Sequence, residues 1–147
     1  MYLILVNQEA GNHIYKRIEK KFKRLLDNEN IKSRIVMIDD LAEIPELIKK
    51  NYKETDSAVI AMGGNATVNA TINALANEDI PFGIIPTSKT NFLARHLGLK
   101  NWIQAVKVLS SPDLKKSRVG KIGRHYFIGE IQIASRNNLL QIGRAHV

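Results

Sequence analysis

The sequence of 147 residues contains no cysteine. This absence excludes a disulfide scaffold, a thiolate zinc site and a cysteine nucleophile. It also fits a protein of the reducing cytoplasm, where structural disulfides are rare. Apolar residues make up 44% of the chain, an ordinary share for a globular protein, so the sequence can still bury a hydrophobic core.

Neither a secretory signal nor a membrane-spanning segment is evident. The opening apolar run is too short for a signal core and has no basic segment before it. Residues 57–77 carry no charge and are long enough to span a bilayer. They include paired glycines and four asparagines, however, which would be costly in hydrocarbon. We therefore expect a cytoplasmic protein without a transmembrane helix.

Acidic residues are the minority among the charged residues, 14 against 22 basic ones, which gives a formal net charge of +8. This excess favours anionic partners such as a nucleotide, a nucleic acid or an acidic membrane surface. Part of it lies on an amphipathic helix predicted at residues 13–27, where a solvated basic face is the favoured interpretation over a dedicated membrane or nucleic-acid patch. No aromatic residues alternate with these charges, so nucleic-acid binding depends on charge alone and is not expected.

Short apolar runs alternate with amphipathic segments over most of the chain. The runs predict strands at residues 2–6, 32–38, 57–62 and 81–85. The amphipathic segments predict helices over about 13–27, 39–50, 65–76, 91–97 and 102–110. Strands that alternate with helices through short loops predict an α/β fold, with a parallel sheet covered by helices on its faces.

The pattern changes after residue 113. Residues 118–122 and 125–133 alternate around a Gly-Arg pair, which predicts a β-hairpin without a following helix. We therefore expect an α/β domain at residues 1–113 and the opening strands of a truncated all-β domain at residues 114–141.

The last six residues, 142–147, resemble the in-frame translation of a sequencing-library adapter. We expect them to be a non-native tail, after which the natural sequence continues differently. An ordinary polar terminus is the alternative interpretation, and neither one gives the tail a functional role.

Residues 58–67 have the features of a phosphate-binding turn. A buried strand leads to Gly63 and Gly64, and the following helix begins near Asn65 and Thr67. Glycines let the backbone turn sharply and approach a ligand closely. The start of a helix also directs unpaired N–H groups and the positive end of its dipole toward an anion. Glycine pairs also occur as plain connections, so this segment alone leaves phosphate binding and a simple turn equally open.

Two other loops follow strands and are expected at the same edge of the sheet. One presents Ser88, Lys89 and Asn91, and Lys89 is suited to pair with a phosphate as a mobile point charge. The alternatives are an exposed loop lysine and a helix cap supplied by Ser88, Thr90 or Asn91. The other loop contains Asn7 and Gly11, and it is either a third wall of the cleft or only a connection.

Residues 63–69 resemble the Gly-Gly-Asp-Gly-Thr-Val-Asn motif of the diacylglycerol kinase catalytic-domain family, a family of lipid kinases. Two positions depart from it, because Asn65 stands at the aspartate and Ala66 at the glycine that follows. Asn65 replaces a carboxylate by a neutral amide, which weakens any metal-linked role. If the motif needs positive φ at residue 66, alanine is strained there. NAD kinases share the Gly-Gly-Asp-Gly-Thr turn, so other segments must separate the two families.

Three further segments favour the lipid kinases. Residues 83–98 resemble their second motif, which reads Gly-Ile-Ile-Pro-Leu-Gly-Thr-Gly-Asn-Asp-Phe-Ala-Arg, although residues 88–90 lack its last two glycines and Phe92 replaces its aspartate. Asn7 and Gly11 match the Asn-Pro-x-x-Gly loop, and residues 119–127 resemble the hairpin that opens the second domain. The similarity covers nearly the whole chain up to about residue 133.

The resemblance implies a Rossmann-like first domain with helices on both faces of its sheet. It also implies that ATP binds between this domain and a β-sandwich second domain, and that Mg²⁺ assists transfer of the γ-phosphoryl group to a lipid hydroxyl. The catalytic base and the metal-linking acidic residues of the family lie later in the second domain. The resemblance therefore implies no catalytic residue and no metal ligand in this chain. The implied nucleotide-binding residues are Asn7, Gly11, Gly63, Gly64, Asn65, Thr67, Ser88, Lys89 and Asn91.

Two hypotheses follow for the intact protein. The first is an active ATP-dependent lipid kinase with unusual loops, in which Lys89 compensates for lost backbone contacts. The second is a catalytically inactive pseudokinase that acts as a binding or regulatory module. A lipid substrate such as diacylglycerol implies peripheral contact with the inner face of the membrane, and the basic first helix is one candidate surface for it. On its own, this chain is not expected to turn over substrate.

Overall fold

Four apolar runs form a parallel sheet in a computed structural model that describes residues 1–88, 91–112, 120–122, 124–127, 130–134 and 139–144. The strands lie in the order β2-β1-β3-β4, and every neighbouring pair is parallel, as the sequence predicts. Each strand begins and ends within about one residue of its predicted bounds. They are β1 (Tyr2–Asn7), β2 (Ser33–Ile38), β3 (Ala58–Gly63) and β4 (Phe82–Pro86).

The strand register brings the carboxyl ends of β1, β3 and β4 together. Val6 lies opposite Met62, and Gly63 lies opposite Pro86. The loops that leave these three strands therefore start side by side at one edge of the sheet. In open α/β sheets this edge is where ligands usually bind.

Five helices connect and cover the strands among residues 1–112 of the described chain. They are α1 (Ala10–Asn28), α2 (Ile44–Asn51), α3 (Asn65–Leu75), α4 (Phe92–His96) and α5 (Trp102–Leu109). A 3₁₀ turn, Leu41–Glu43, precedes α2, and the Asp40 side chain accepts a hydrogen bond from the Ala42 N–H there. Asp40 therefore caps this turn, and Pro45 lies in the first turn of α2, where proline is tolerated.

The alternation of side chains along β1 explains why both faces of the sheet are covered. Tyr2, Ile4 and Val6 pack with residues of α1 and α5, whereas Leu3 and Leu5 pack with residues of α2 and α3. Successive side chains of a strand point to opposite faces, so a central strand that is apolar throughout needs a helical layer on each side. The α/β architecture predicted from the sequence is confirmed.

Short antiparallel strands follow the α/β part of the chain. The strand β5 (Gly120–Ile122) pairs with β6 (His125–Phe127), and β7 (Glu130–Ala134) pairs with β8 (Leu139–Arg144). The first pair agrees with the predicted hairpin, but the second predicted run is divided between β6 and β7. Residues 113–119 lie outside the described residues, so the domain boundary at 113–114 stays a prediction, as does the non-native tail.

No helix in the described part of the chain is both long and apolar enough to cross a bilayer.

Candidate functional site

The three loops predicted to share one edge of the sheet are in contact there. The Asn7 side-chain N–H donates to the Thr67 hydroxyl across 3.0 Å, which joins the end of β1 to the first turn of α3. The Thr87 N–H donates to the Gly63 carbonyl across 3.2 Å, which joins the loop after β4 to the end of β3. A β-carbon on Gly11 would clash with the Thr87 carbonyl oxygen, so the first loop also packs against the loop after β4.

Gly63 and Gly64 have different structural roles in the turn. A β-carbon on Gly63 would overlap the Thr67 side chain, so glycine is required there for the close approach of β3 and α3. A β-carbon on Gly64 would meet no atom within 4 Å, and its backbone is extended (φ −95°). Gly64 therefore borders open space directly before α3, where a ligand can approach the backbone.

The Thr67 side chain holds the turn together. It is buried, its hydroxyl accepts the bond from Asn7, and its carbonyl oxygen accepts a 2.8 Å hydrogen bond from the Thr71 hydroxyl. These bonds fix the first turn of α3 against the end of β1. The structure thus gives Thr67 and Asn7 a positioning role, and their predicted contact with a nucleotide stays a prediction.

Asn91 caps α4 and also connects it to β3. Its side-chain oxygen accepts from the Ala94 N–H at 3.0 Å, and its side-chain N–H donates to the Gly63 carbonyl at 3.2 Å. The side chain is 1% exposed. The cap that the sequence offered as an alternative role for Asn91 is therefore present, and it places the residue at the same edge as Gly63.

Asn65 joins the starts of two helices. Its side-chain oxygen accepts a 2.7 Å hydrogen bond from the Phe92 N–H, so the first residue of α3 is tied to the first residue of α4. This bond was not foreseen from the sequence, because the two residues are 27 positions apart. An aspartate could accept the same bond, so the amide preserves the geometry of the turn while it removes the charge.

The backbone strain considered for Ala66 is absent. Ala66 lies in α3, and the described non-glycine residues with positive φ are Asn12, His13 and Asn30. The strain lies instead in the first loop, where Gly11, Asn12 and His13 all have left-handed dihedral angles (φ 61°, 57° and 60°). Such angles cost about 1–2 kcal/mol per residue for side chains other than glycine. The continuous right-handed part of α1 therefore begins after His13, close to its predicted start.

The edge has the properties of an anion site. The helix α3 starts without a side-chain cap at Gly64, so the N–H groups of its first turn point toward the open space beside that glycine. The buried Thr87 hydroxyl has no hydrogen-bond partner among the described residues. Ser88 follows Thr87 directly, whereas Lys89 lies outside the described residues.

The described residues of this edge include no cluster of metal-binding side chains. No group of three or more histidine or acidic side chains occurs in the part of the chain that the structure describes. The groups with shifted pKa values also lie elsewhere. Burial raises the pKa of the Tyr15 phenol, which α1 directs into the core, and Asp56 lies at the opposite edge of the sheet.

Comparison with known proteins agrees with the geometry. The family model described as diacylglycerol kinase catalytic domain matches residues 1–122. A diacylglycerol kinase from Staphylococcus haemolyticus is 27% identical over 146 residues, which cover 95% of this chain and 42% of that protein. One from Staphylococcus saprophyticus is 24% identical over 142 residues, which cover 95% of this chain and 46% of that protein. The chain thus spans less than half the length of these relatives.

Solved structures give the same fold. A crystal structure of a diacylglycerol kinase from Bacillus anthracis strain Sterne superposes with a TM-score of 0.77 at 23% sequence identity, over 92% of this chain and 48% of that one. At this level of identity the likeness supports the fold alone, and the family assignment follows from the sequence match across residues 1–122. This chain belongs to the diacylglycerol kinase catalytic-domain family.

Proposed function

We propose that this chain is the nucleotide-binding part of an ATP-dependent lipid kinase, which phosphorylates the hydroxyl group of a lipid such as diacylglycerol. The observation that carries the proposal is the open space at Gly64, bordered by the uncapped start of α3 and by the converging loops. A nucleotide phosphate is the group that such a helix start binds best. The family membership supplies the reaction class, because diacylglycerol kinases transfer a phosphoryl group to a lipid alcohol.

The phosphate group of the nucleotide is proposed to lie against the backbone N–H groups of Asn65, Ala66 and Thr67. Gly64 lets it approach because no side chain stands there. Ser88 and Lys89 are proposed to contact it from the loop after β4, with Lys89 supplying the positive charge. Phosphoryl transfer depends mainly on positioning and charge neutralisation, and these groups can contribute to both.

Asn7, Gly11 and Asn91 are proposed to border the nucleotide indirectly. Asn7 and Asn91 fix the turn through Thr67 and Gly63, and Gly11 allows the first loop to reach Thr87. Their substitution is therefore expected to weaken nucleotide binding by displacing the loops.

Mg²⁺ is the ion expected with ATP in a kinase of this family, where it neutralises phosphate charge. The described residues contain no group of three or more histidine or acidic side chains, and Asn65 stands where the motif has its aspartate. We therefore assign no metal ligand and no catalytic base to this chain. Both are proposed to come from a second domain.

A pseudokinase is the second candidate function, and a specific observation favours it. Asn65 and Phe92 replace the two aspartates of the family motifs, yet the bond between them keeps α3 and α4 in place. A chain that keeps this geometry without the carboxylates could bind a nucleotide and not transfer its phosphate. Such a protein would act as a binding or regulatory module.

The test of nucleotide binding is calorimetric titration of the chain with ATP, with and without Mg²⁺. The Gly64→Val variant is expected to bind at least about tenfold more weakly, because its side chain occupies the space proposed for the phosphate. Asn69→Val places the same side chain on the exposed face of α3, away from the edge, and is the matched control. Equal affinities of Gly64→Val and the wild type would overturn the proposed site.

The choice between kinase and pseudokinase needs the intact protein. Incubation with labelled ATP and diacylglycerol in mixed micelles is expected to give labelled phosphatidate. ATP binding without product from diacylglycerol, a sphingoid base or a polyprenol would favour the pseudokinase. We propose that the protein acts at the cytoplasmic side of the membrane, where such lipids are accessible.

A further inference from the structure

Exposed large apolar side chains recur within residues 92–103, which contain α4 and the start of α5. Among the described residues, the large hydrophobic side chains that are exposed include Phe92 (42%), Leu97 (46%) and Ile103 (43%). The others are Val108, at the far end of α5, and Met1. Single exposed apolar residues are normal on a protein surface, but a cluster of them marks a surface that contacts something.

The same segment carries positive charge without compensation. The sequence contains no aspartate or glutamate between Asp79 and Asp113. Arg95 and Lys100 are exposed, and neither forms an ion pair with any residue that the structure describes. We call the six residues Phe92, Arg95, His96, Leu97, Lys100 and Ile103 the α4 surface.

The aromatic part of the α4 surface is held in a defined position. The rings of Phe92 and His96 are stacked with their centroids 6.4 Å apart and their planes 9° apart. The Phe92 N–H is bound to the Asn65 side chain, so the backbone beneath this pair is fixed to the start of α3. The exposed Phe92 ring therefore starts from a backbone that is held beside the proposed nucleotide site.

One cavity is lined by residues of both the α4 surface and the proposed nucleotide site. It has a volume of about 290 Å³, with Ser88 and Asn91 on its lining next to Arg95 and Lys100. A lipid headgroup near these two cations would therefore lie close to the loop that is proposed to contact the phosphate.

We propose that the α4 surface docks onto a lipid bilayer that contains anionic lipids. The three apolar side chains would enter the interfacial region, while Arg95 and Lys100 contact the negative headgroups. The proposal deepens the proposed function, because it names the surface through which a lipid kinase would reach an acceptor in the bilayer. It does not depend on nucleotide binding.

The basic face of α1 is the competing surface, and its composition argues against it. Its exposed basic residues include Arg17, Lys20, Lys21 and Arg24, but no large hydrophobic side chain on α1 is exposed. Interfacial binding requires buried apolar area in addition to electrostatic attraction. The α4 surface provides both, whereas α1 provides charge alone.

The test is co-sedimentation with vesicles of phosphatidylcholine, alone or mixed with phosphatidylglycerol, in the absence of nucleotide. The wild-type chain is expected to bind the mixed vesicles and to bind neutral ones weakly. Phe92→Ser/Leu97→Ser and Arg95→Gln/Lys100→Gln are each expected to lower the partition coefficient about tenfold or more. Circular dichroism of each variant shows whether the fold is retained.

Two matched controls test whether the loss of vesicle binding is specific to the α4 surface. Arg17→Gln/Lys20→Gln removes the same charge from α1, and Val108→Ser removes an exposed apolar side chain outside the α4 surface. Both are expected to change binding less than threefold, which is the size of a weak, delocalised contribution. Equal losses in the two charge variants would mean that net charge alone attracts the chain, and would overturn the proposal.

Other occupants of the α4 surface give different results. If a second copy covers it, light scattering will show a dimer that Phe92→Ser/Leu97→Ser dissociates, and the wild type will not sediment with vesicles. If another part of the intact protein covers it, the same variants will leave vesicle binding of the intact protein unchanged. Either result would overturn the proposal. Gly64→Val should bind vesicles like the wild type, so a failure here is distinct from a failure of the nucleotide site.

Discussion

At the amino edge of the sheet, Arg34 and Asp56 form an ion pair in which the carboxylate side chain is 1% exposed. The same carboxylate accepts from the Lys53 N–H at 2.8 Å, and the Arg34 guanidinium also donates to the Asn51 carbonyl at 2.9 Å. At the carboxyl edge, by contrast, the buried contacts that join the loops are made by amides, hydroxyls and backbone groups. A buried charge pair stabilises the fold at the edge away from the ligand, while neutral groups shape the edge where a charged ligand is proposed to bind.

The largest effect in this comparison is expected at the amino edge. Asp56→Asn should lower the free energy of unfolding by about 3 kcal/mol at neutral pH, because it leaves the partly buried Arg34 without its counter-charge. Urea unfolding followed by circular dichroism measures the loss. ATP affinity should not change, since the pair lies at the opposite edge from Gly64. If the unfolding free energy of Asp56→Asn lies within about 0.5 kcal/mol of the wild type, the ion pair does not stabilise this edge as proposed.

The difference in unfolding free energy between the wild type and Asp56→Asn should depend on pH. Burial alone would raise the pKa of the Asp56 carboxyl, but the Lys53 N–H bond and the Arg34 charge outweigh it, so the pKa lies below its ordinary value. A carboxyl with a lowered folded-state pKa stabilises the fold above the unfolded pKa of about 4, and this contribution is lost as the pH falls through the folded pKa. The gap between wild type and Asp56→Asn should therefore narrow below about pH 4.

A smaller effect on stability is expected at the carboxyl edge. Gly63→Ala should cost about 2 kcal/mol, because the new methyl group overlaps the Thr67 side chain and forces β3 and α3 apart. It should also weaken ATP binding, which Asp56→Asn should not do. Thermal unfolding and calorimetric titration should be measured for both variants. Asp56→Asn is expected to lose stability alone, whereas Gly63→Ala is expected to lose both stability and ATP affinity. If Gly63→Ala is destabilised but binds ATP normally, the geometry of this turn does not determine nucleotide binding.

The smallest effect on stability is expected for Asn65→Asp. The new carboxylate can still accept the Phe92 N–H bond, and its charge lies at the start of α3, where a negative charge is favourable. We expect a change in unfolding free energy within about 0.5 kcal/mol. In the intact protein the variant should make ATP binding more dependent on Mg²⁺, because it restores the carboxylate of the motif. An unchanged dependence would show that residue 65 has no metal-linked role in this chain.

The sequence predicted the sheet and its helices well, because their signals are local. Runs such as residues 2–6 and 58–62 are short and apolar throughout, so their length and burial give each strand within about one residue. The cap at Asn91 was also predictable, since asparagine before an apolar helix is a strong N-cap signal. Convergence of the three loops followed from the parallel topology.

The contacts within the site were not predictable in the same way. The bonds from Asn7 to Thr67 and from Phe92 to Asn65 join residues far apart in the chain, and they exist only once the strand order is fixed. The condition for strain at Ala66, a positive φ, is not met, because that residue lies in the right-handed turn of α3. The left-handed angles of Asn12 and His13 had no clear sequence signal beyond the neighbouring Gly11.

The Gly63 carbonyl has a further consequence for what this edge can select. It accepts hydrogen bonds from both the Thr87 N–H and the Asn91 side chain, so its two lone pairs are occupied. The side-chain oxygens of Asn65 and Asn91 likewise accept from backbone N–H groups. These three oxygen atoms are thus engaged inside the protein, and the uncapped helix presents N–H groups outward. Such an edge favours an anion over a bare cation, so we expect a cation there to be held mainly by the anionic ligand that it accompanies.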